Sequence, residues 1–314
     1  MVFPRKTRLR RCLKLSAILA LLVFISSLWL PQVGNKDCGN TWQPCLSFYH
    51  QTSEHPPAAL KWAGSDEDPP TIKDCPGQEF QARLLLMYLR SSLSKSGDDE
   101  DDVLLEPYLQ SWDQLLSFMN SLGTMVSFFS QKVKKKVTLV QELSLKHAAE
   151  ADGKNNAQHS ALQKVSSSGL NRGAFRSIRS MVEAELKAGV VNFSQRTDSG
   201  CRTLLRLHRS LLWLKLMLEG LAGGPDADGR YKTPGELSRD AYKVALAPYH
   251  HWVLRQAAEL VFIALPDRQY FLQLVCAQHQ EEATPIMNII IQALTVVHQR
   301  TQHILAQHNM LELP

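Results

Sequence analysis

The chain has no glycine-rich phosphate loop, no dinucleotide-binding glycine fingerprint, no His-Glu-x-x-His and no Cys-x-x-Cys. Those absences remove the usual local signatures of nucleotide, nicotinamide, zinc-protease and dithiol chemistry. A nucleophile elbow is missing too. Eleven histidines are present, but His250 and His251 are adjacent and face different sides of a helix, and His279, His298, His303 and His308 spread along polar helix faces. No cysteine or carboxylate completes a ligand set around them, so they read as solvent-exposed side chains and no metal is expected. No convincing apolar–polar alternation of the kind that marks strands occurs, and no internal repeat. The expectation is a non-enzymatic, all-α protein without a cofactor.

A basic body is also lacking. The formal charge is +5, yet Arg5, Lys6, Arg8, Arg10, Arg11 and Lys14 fall in the first fourteen residues with no acid among them. Taking those six from +5 leaves −1 for residues 15–314. A nucleic-acid binder needs cationic surface across its body, so nucleic acid is excluded as a partner.

Beyond the basic tail the chain turns apolar. Residues 15–30 run sixteen positions without a charge and end at Trp29-Leu30. That is short of the ~20 residues of a comfortable membrane span and at the top of a signal-peptide core of ~7–15. Gln32-Val33-Gly34 is the nearest approach to a cleavage site, and a poor one. Residues 1–31 therefore read as a basic tail with an uncleaved signal anchor, or else a cleaved signal peptide. The positive-inside rule would then place everything after Leu30 in the lumen or outside. Residues 32–77, rich in proline and polar residues, read as a stalk. Residues 78–314 form the domain, with residues 147–172 a flexible insertion.

Six cysteines are compatible with an oxidising compartment without proving one. Cys38, Cys45 and Cys75 lie in the stalk, where a Cys38–Cys45 bridge would leave one over. Cys201 and Cys276 have apolar neighbours and read as buried residues. Asn192-Phe-Ser194 is a glycosylation sequon, usable in a lumenal domain and meaningless in a cytosolic one.

Helical periodicity begins near Gln78, with Phe80, Leu84, Leu85, Tyr88 and Leu93 on one face. Leu109, Trp112, Leu115, Leu116 and Met119 line the next helix, with Pro107 in its tolerated first turn. The pattern resumes from Phe128 to Leu143 in what reads as a continuous helix. Further helices are predicted near 175–191, 200–221, 237–255, 266–278 and 284–308.

Within the helix near 200–221, Arg202, Arg206 and Arg209 fall at i, i+4 and i+7, a single positive stripe amid Leu204, Leu205, Leu207, Leu211, Leu212 and Trp213. Cations on an oily helix are costly unless an anion pairs with them. Lys132 and Lys136, at i and i+4 beside Phe129 and Val133, add charge of the same sign. A greasy interior with a cationic mouth is what an anionic lipid requires.

Several segments together resemble the glycolipid transfer protein family, in its ceramide-1-phosphate branch: Leu105-Glu-Pro-Tyr-Leu-Gln-Ser-Trp-Asp113, Phe118-Met-Asn-Ser-Leu-Gly-Thr124, Ser199-Gly-Cys-Arg-Thr-Leu-Leu-Arg-Leu-His-Arg209, Tyr249-His-His-Trp-Val253 and Leu311-Glu-Leu-Pro314. The resemblance implies a two-layer helical sandwich that carries one sphingolipid between membranes. It implies that Arg202, Arg206 and Lys136 grip a phosphate, that His250 meets the ceramide amide, and that Trp252 with Val253 touches the bilayer. The family pattern carries an aspartate where Lys132 stands, and lysine has no acceptor. That departure either leaves ceramide-1-phosphate as the ligand or turns the site toward another anionic lipid such as sulfatide. Relatives of this kind work in the cytosol, the alternative to the membrane-anchored or secretory-pathway location that residues 1–31 suggest. A membrane-tethered sensor or scaffold is the alternative to a carrier.

Overall fold

A computed structural model describes residues 72–93, 101–157 and 173–314, and of 148–157 the backbone alone. The basic tail, the apolar run at 15–30, Cys38, Cys45 and most of the stalk lie outside the described residues. Among those described there are nine α-helices and one 3-10 turn, arranged as the expected two-layer all-α sandwich. None of the helices is long and apolar enough to cross a membrane.

Helix α1, Ala82–Ser92, buries Ala82, Leu85, Leu86 and Leu89. That i, i+3, i+4, i+7 stripe is rotated from the predicted one, since Leu84 and Tyr88 are only half-buried. Helix α2, Leu105–Ser121, buries the five apolar residues expected of it and, around them, Tyr108 and Phe118. Phe118 sits edge-on between Phe80 and Phe271, at 5.3 and 6.0 Å between ring centres, a favoured aromatic geometry. Gly123 then takes φ +103°, a conformation that strains any side chain. So α2 ends, and α3, Thr124–Ala157, starts in a new direction rather than continuing it. Since α3 runs to Ala157, the first part of the segment read as a flexible insertion is helical; residues 158–172 lie outside the described residues.

Short helix α4, Ile178–Lys187, begins with a Ser177/Ser180 capping box. Its start is tied to that of α2 by Leu105 N–H to the Arg176 carbonyl (3.0 Å) and Ile178 N–H to the Val103 carbonyl (2.8 Å). The central helix is α5, Gly200–Ala222, against which α3, α4, α6 and α9 all pack. Helix α6, Pro234–Ala245, has a Thr233/Glu236 capping box with proline at its first position. The single helix predicted over 237–255 is instead broken. The 3-10 turn Ala247–Tyr249 contains Pro248, whose ring cannot continue α6, and α7, Trp252–Ile263, starts afresh. Helices α8, Arg268–Leu274, and α9, Gln280–Gln307, complete the domain.

Two expectations need correction at the domain's edge. Ile72 and Cys75 are buried, so the last residues assigned to the stalk belong to the fold. Cys276 is not a buried thiol: it lies exposed just beyond α8 and is bridged to Cys75 across 201 residues of sequence. Cys201 is buried and free, as its neighbours implied.

Candidate functional site

The N-terminal turn of α5 is held from two sides. Ser199 caps it through Oγ, accepting from Arg202 N–H at 3.2 Å. The buried Glu185 carboxylate of α4 accepts from Gly200 N–H at 2.6 Å and from Cys201 N–H at 2.8 Å. A carboxylate there satisfies orphan donors and meets the positive end of the helix dipole. Gly200 lets the carboxylate come this close, because a Cβ would stand 2.9 Å from Glu185 Oε1 and displace it. The same contact helps push the buried Cys201 thiol up, after desolvation, so that it stays protonated.

One turn on, the arginine stripe separates into three roles. Arg202 is buried. Its Nε donates to the Pro314 main-chain oxygen and its Nη1 to the Thr197 carbonyl at 3.1 Å, with Asp198 at 3.9 Å. Nη2 has no partner among the described residues. Arg206 is exposed. Arg209 is spoken for, since Nη2 donates to the Leu311 carbonyl at 2.7 Å and its guanidinium lies 3.4 Å over the Tyr249 ring. The Leu311–Pro314 segment thus anchors Arg202 and Arg209 but not Arg206.

From α3, Lys136 and Lys132 reach the same place. Lys136 Nζ donates to the Lys132 carbonyl at 3.1 Å. Its ammonium is pushed down to about 8 by desolvation, then by the charges of Arg206, Lys132 and Arg202. Arg206 and Arg202 are lowered too: desolvation leads in both, and Arg196 adds to each. The nearest acid that offsets these two is Asp198, on the loop before α5. Sequence reasoning missed Arg196, which sits outside any helical period on that loop.

His250, at the break between α6 and α7, completes the set. Its Nδ1 is 2.8 Å from Tyr242 Oη. Burial holds it neutral, at about 4, with Arg255, Lys136, His251 and Arg206 acting in the same direction. Arg255 Nε in turn donates to the His250 carbonyl at 2.8 Å. Lys136, Arg206 and His250 therefore feel one another from three different segments. Two residues further on, Trp252 is 71% exposed and Val253 45%, at the first turn of α7. Leu260 and Ile263, at 51% and 75%, continue apolar exposure along that helix.

The histidines depart from expectation in several places: His250 and His251 lie in extended backbone between the 3-10 turn and α7 rather than on a helix, and His308 is half-buried just past α9. His298 is not on a solvated face but stacks on buried His208, ring centres 4.0 Å apart, between α5 and α9. Burial lowers both, to about 4 and about 3. Among the described residues, no three histidines, cysteines or carboxylates are placed to hold a metal.

Residues 103–277 match the glycolipid transfer protein (GLTP) family model. The human ceramide-1-phosphate transfer protein is 34% identical over 238 residues, covering 75% of this chain and 97% of that one. Its Xenopus laevis counterpart is 35% identical over 240 residues, covering 76% and 98%. The crystal structure of the human protein in complex with 12:0 ceramide-1-phosphate superposes with a TM-score of 0.59 at 33% identity, over 74% of this chain and 98% of that one. The mouse protein in its apo form gives 0.61 at 32% identity, over 75% and 100%. A family model spanning more than half the chain, and relatives matched over nearly their whole length, place this chain in the glycolipid transfer protein family, in the branch that resembles ceramide-1-phosphate transfer proteins.

Proposed function

We propose that this chain picks up one anionic sphingolipid, ceramide-1-phosphate, and moves it between membranes without making or breaking a bond. The observation that carries the reading is the crowding of Lys136, Arg206 and Arg202 with Lys132 and Arg196, opposed by little more than Asp198. Like charges gathered without an anion destabilise the empty site, and a phosphate relieves them. Charge-assisted, bidentate contact from a guanidinium suits that group. Arg202 is already oriented by Pro314 and Thr197 and offers Nη2. Neutral His250, with Tyr242 Oη donating to Nδ1, would carry its proton on Nε2 and donate it to an amide carbonyl. The two lipid chains would lie among the apolar helices below, where α5 presents Leu204, Leu205 and Leu207. Trp252 and Val253 are exposed as a bilayer contact requires.

Lys132 favours a second reading of the ligand. It offers donors only, at the position where the family pattern has an acceptor, and so would suit another anionic lipid such as sulfatide. The experiment is transfer of fluorescent ceramide-1-phosphate, sulfatide and glucosylceramide between donor and acceptor vesicles, with wild type and Arg206→Glu. Transfer of ceramide-1-phosphate that is abolished by Arg206→Glu supports the proposal. Sulfatide carried in its place selects the second reading, and transfer unchanged by Arg206→Glu sinks both. Binding without exchange between vesicles would make the chain a tethered sensor, held by residues 15–30.

A further inference from the structure

We infer that this is an N-glycoprotein: Asn192 accepts an oligosaccharide, on a domain closed in an oxidising compartment by the Cys75–Cys276 bridge. The inference is independent of which lipid the domain carries.

Asn192-Phe-Ser194 is the single Asn-x-Ser/Thr sequence in the 314 residues. Its setting is what the transfer requires. It lies on the loop between α4 and α5, and residues 192–196 are all exposed. Asn192 Oδ1 accepts from the backbone N–H groups of Ser194 and Gln195, both at 2.8 Å. The carboxamide is thereby fixed by its oxygen, while Nδ2, the atom that must be glycosylated, makes no hydrogen bond among the described residues. A sequon inside a helix or under a neighbouring element would be inert; this one is presented to solvent.

The cysteines supply the second, independent observation. Cys75 and Cys276 stand 5.7 Å apart between Cα atoms, at the commonest spacing for a bridge. Their bond joins the segment entering α1 to the turn leaving α8. Bridges of this kind persist in secreted and lumenal proteins and not in reducing cytosol. That is the compartment in which sequons are used.

Both reactions balance with ordinary lumenal reagents. In the first, sugar C1 bonds to Asn192 Nδ2 as the C1–O bond to a polyisoprenyl diphosphate breaks; the amide proton is lost and the diphosphate leaves. In the second, two thiols give up two electrons and two protons to a disulfide-bearing oxidoreductase.

The test expresses the full chain in cultured mammalian cells and compares gel mobility before and after treatment with a peptide N-glycosidase. Wild type should shift, and Asn192→Gln should not. Because that variant also loses the turn, Ser194→Ala is the companion: it keeps Asn192 and both backbone N–H donors but destroys the sequon, and it too should lose the shift. Peptide mapping without reduction should recover Cys75 cross-linked to Cys276. A wild-type chain with no shift overturns the proposal even where the bridge is found, and a glycan on a chain whose Cys75 and Cys276 both alkylate freely overturns the link to the bridge.

Discussion

Lys136 should make lipid binding depend on pH between about 7 and 9. Its ammonium is lowered from 10.5 to about 8 by desolvation and by Arg206, Lys132 and Arg202. A bound phosphate supplies the missing opposite charge and raises that value again, so binding takes up a proton whenever Lys136 is neutral beforehand. By linkage, affinity is full below pH 8 and is lost as pH rises through it. With a value near 8, the protonated fraction in the empty protein falls from about 0.9 at pH 7 to about 0.1 at pH 9, so affinity should fall about tenfold over that range. The headgroup does not confuse the measurement, because a phosphomonoester completes its second ionisation near ~6. Nor does His250, held neutral with a value of about 4. The assay is titration calorimetry with a short-chain ceramide-1-phosphate in buffers of different ionisation enthalpy, which counts protons directly. Lys136→Arg is the control, since a guanidinium stays charged throughout, and its profile should be flat. A wild-type profile as flat as that of Lys136→Arg would refute the assignment of Lys136 to the phosphate.

Further predictions concern the scaffold around that cluster. Glu185→Ala removes two charge-assisted bonds to Gly200 and Cys201, at about 1.5–3 kcal/mol each, so urea unfolding should show at least ~3 kcal/mol of lost stability; under ~1 would mean that water replaces the carboxylate. Cys276→Ser opens a closure of 201 residues, for which chain entropy sets a ceiling of about 5 kcal/mol; thermal unfolding of the variant should match that of reduced wild type. Trp252→Ala, at a site 71% exposed, should slow vesicle transfer while leaving stability within about 0.5 kcal/mol and calorimetric affinity for a short-chain lipid unchanged; transfer as fast as wild type would remove Trp252 from the membrane contact.

The helices show where local reading succeeds and where it stops. The stripe of α2 was legible because Leu109, Trp112, Leu115, Leu116 and Met119 recur at the helical period, and all five are buried. The predicted helix over 237–255 failed because apolar periodicity runs across Pro248, and the proline, not the pattern, decided the chain's direction. His298 reads as solvated from the polar Gln299 and Arg300 that follow it, but the ring that covers it belongs to His208 on another helix.

The sequence by itself determined the all-α class, the arginine stripe of α5 and the pairing of Lys132 with Lys136, since each depends on residues within one or two turns. It also carried enough likeness across five segments to name the family. Tertiary structure alone decided how the cations are disposed. Arg209 is withdrawn by the Leu311 carbonyl and the Tyr249 ring, Arg202 is aimed by Pro314 and Thr197, and Arg196 joins from a loop. The partner of Cys75 was likewise settled 201 residues away. These outcomes rest on contacts between segments distant in sequence, and a helical period is blind to what stands opposite the helix.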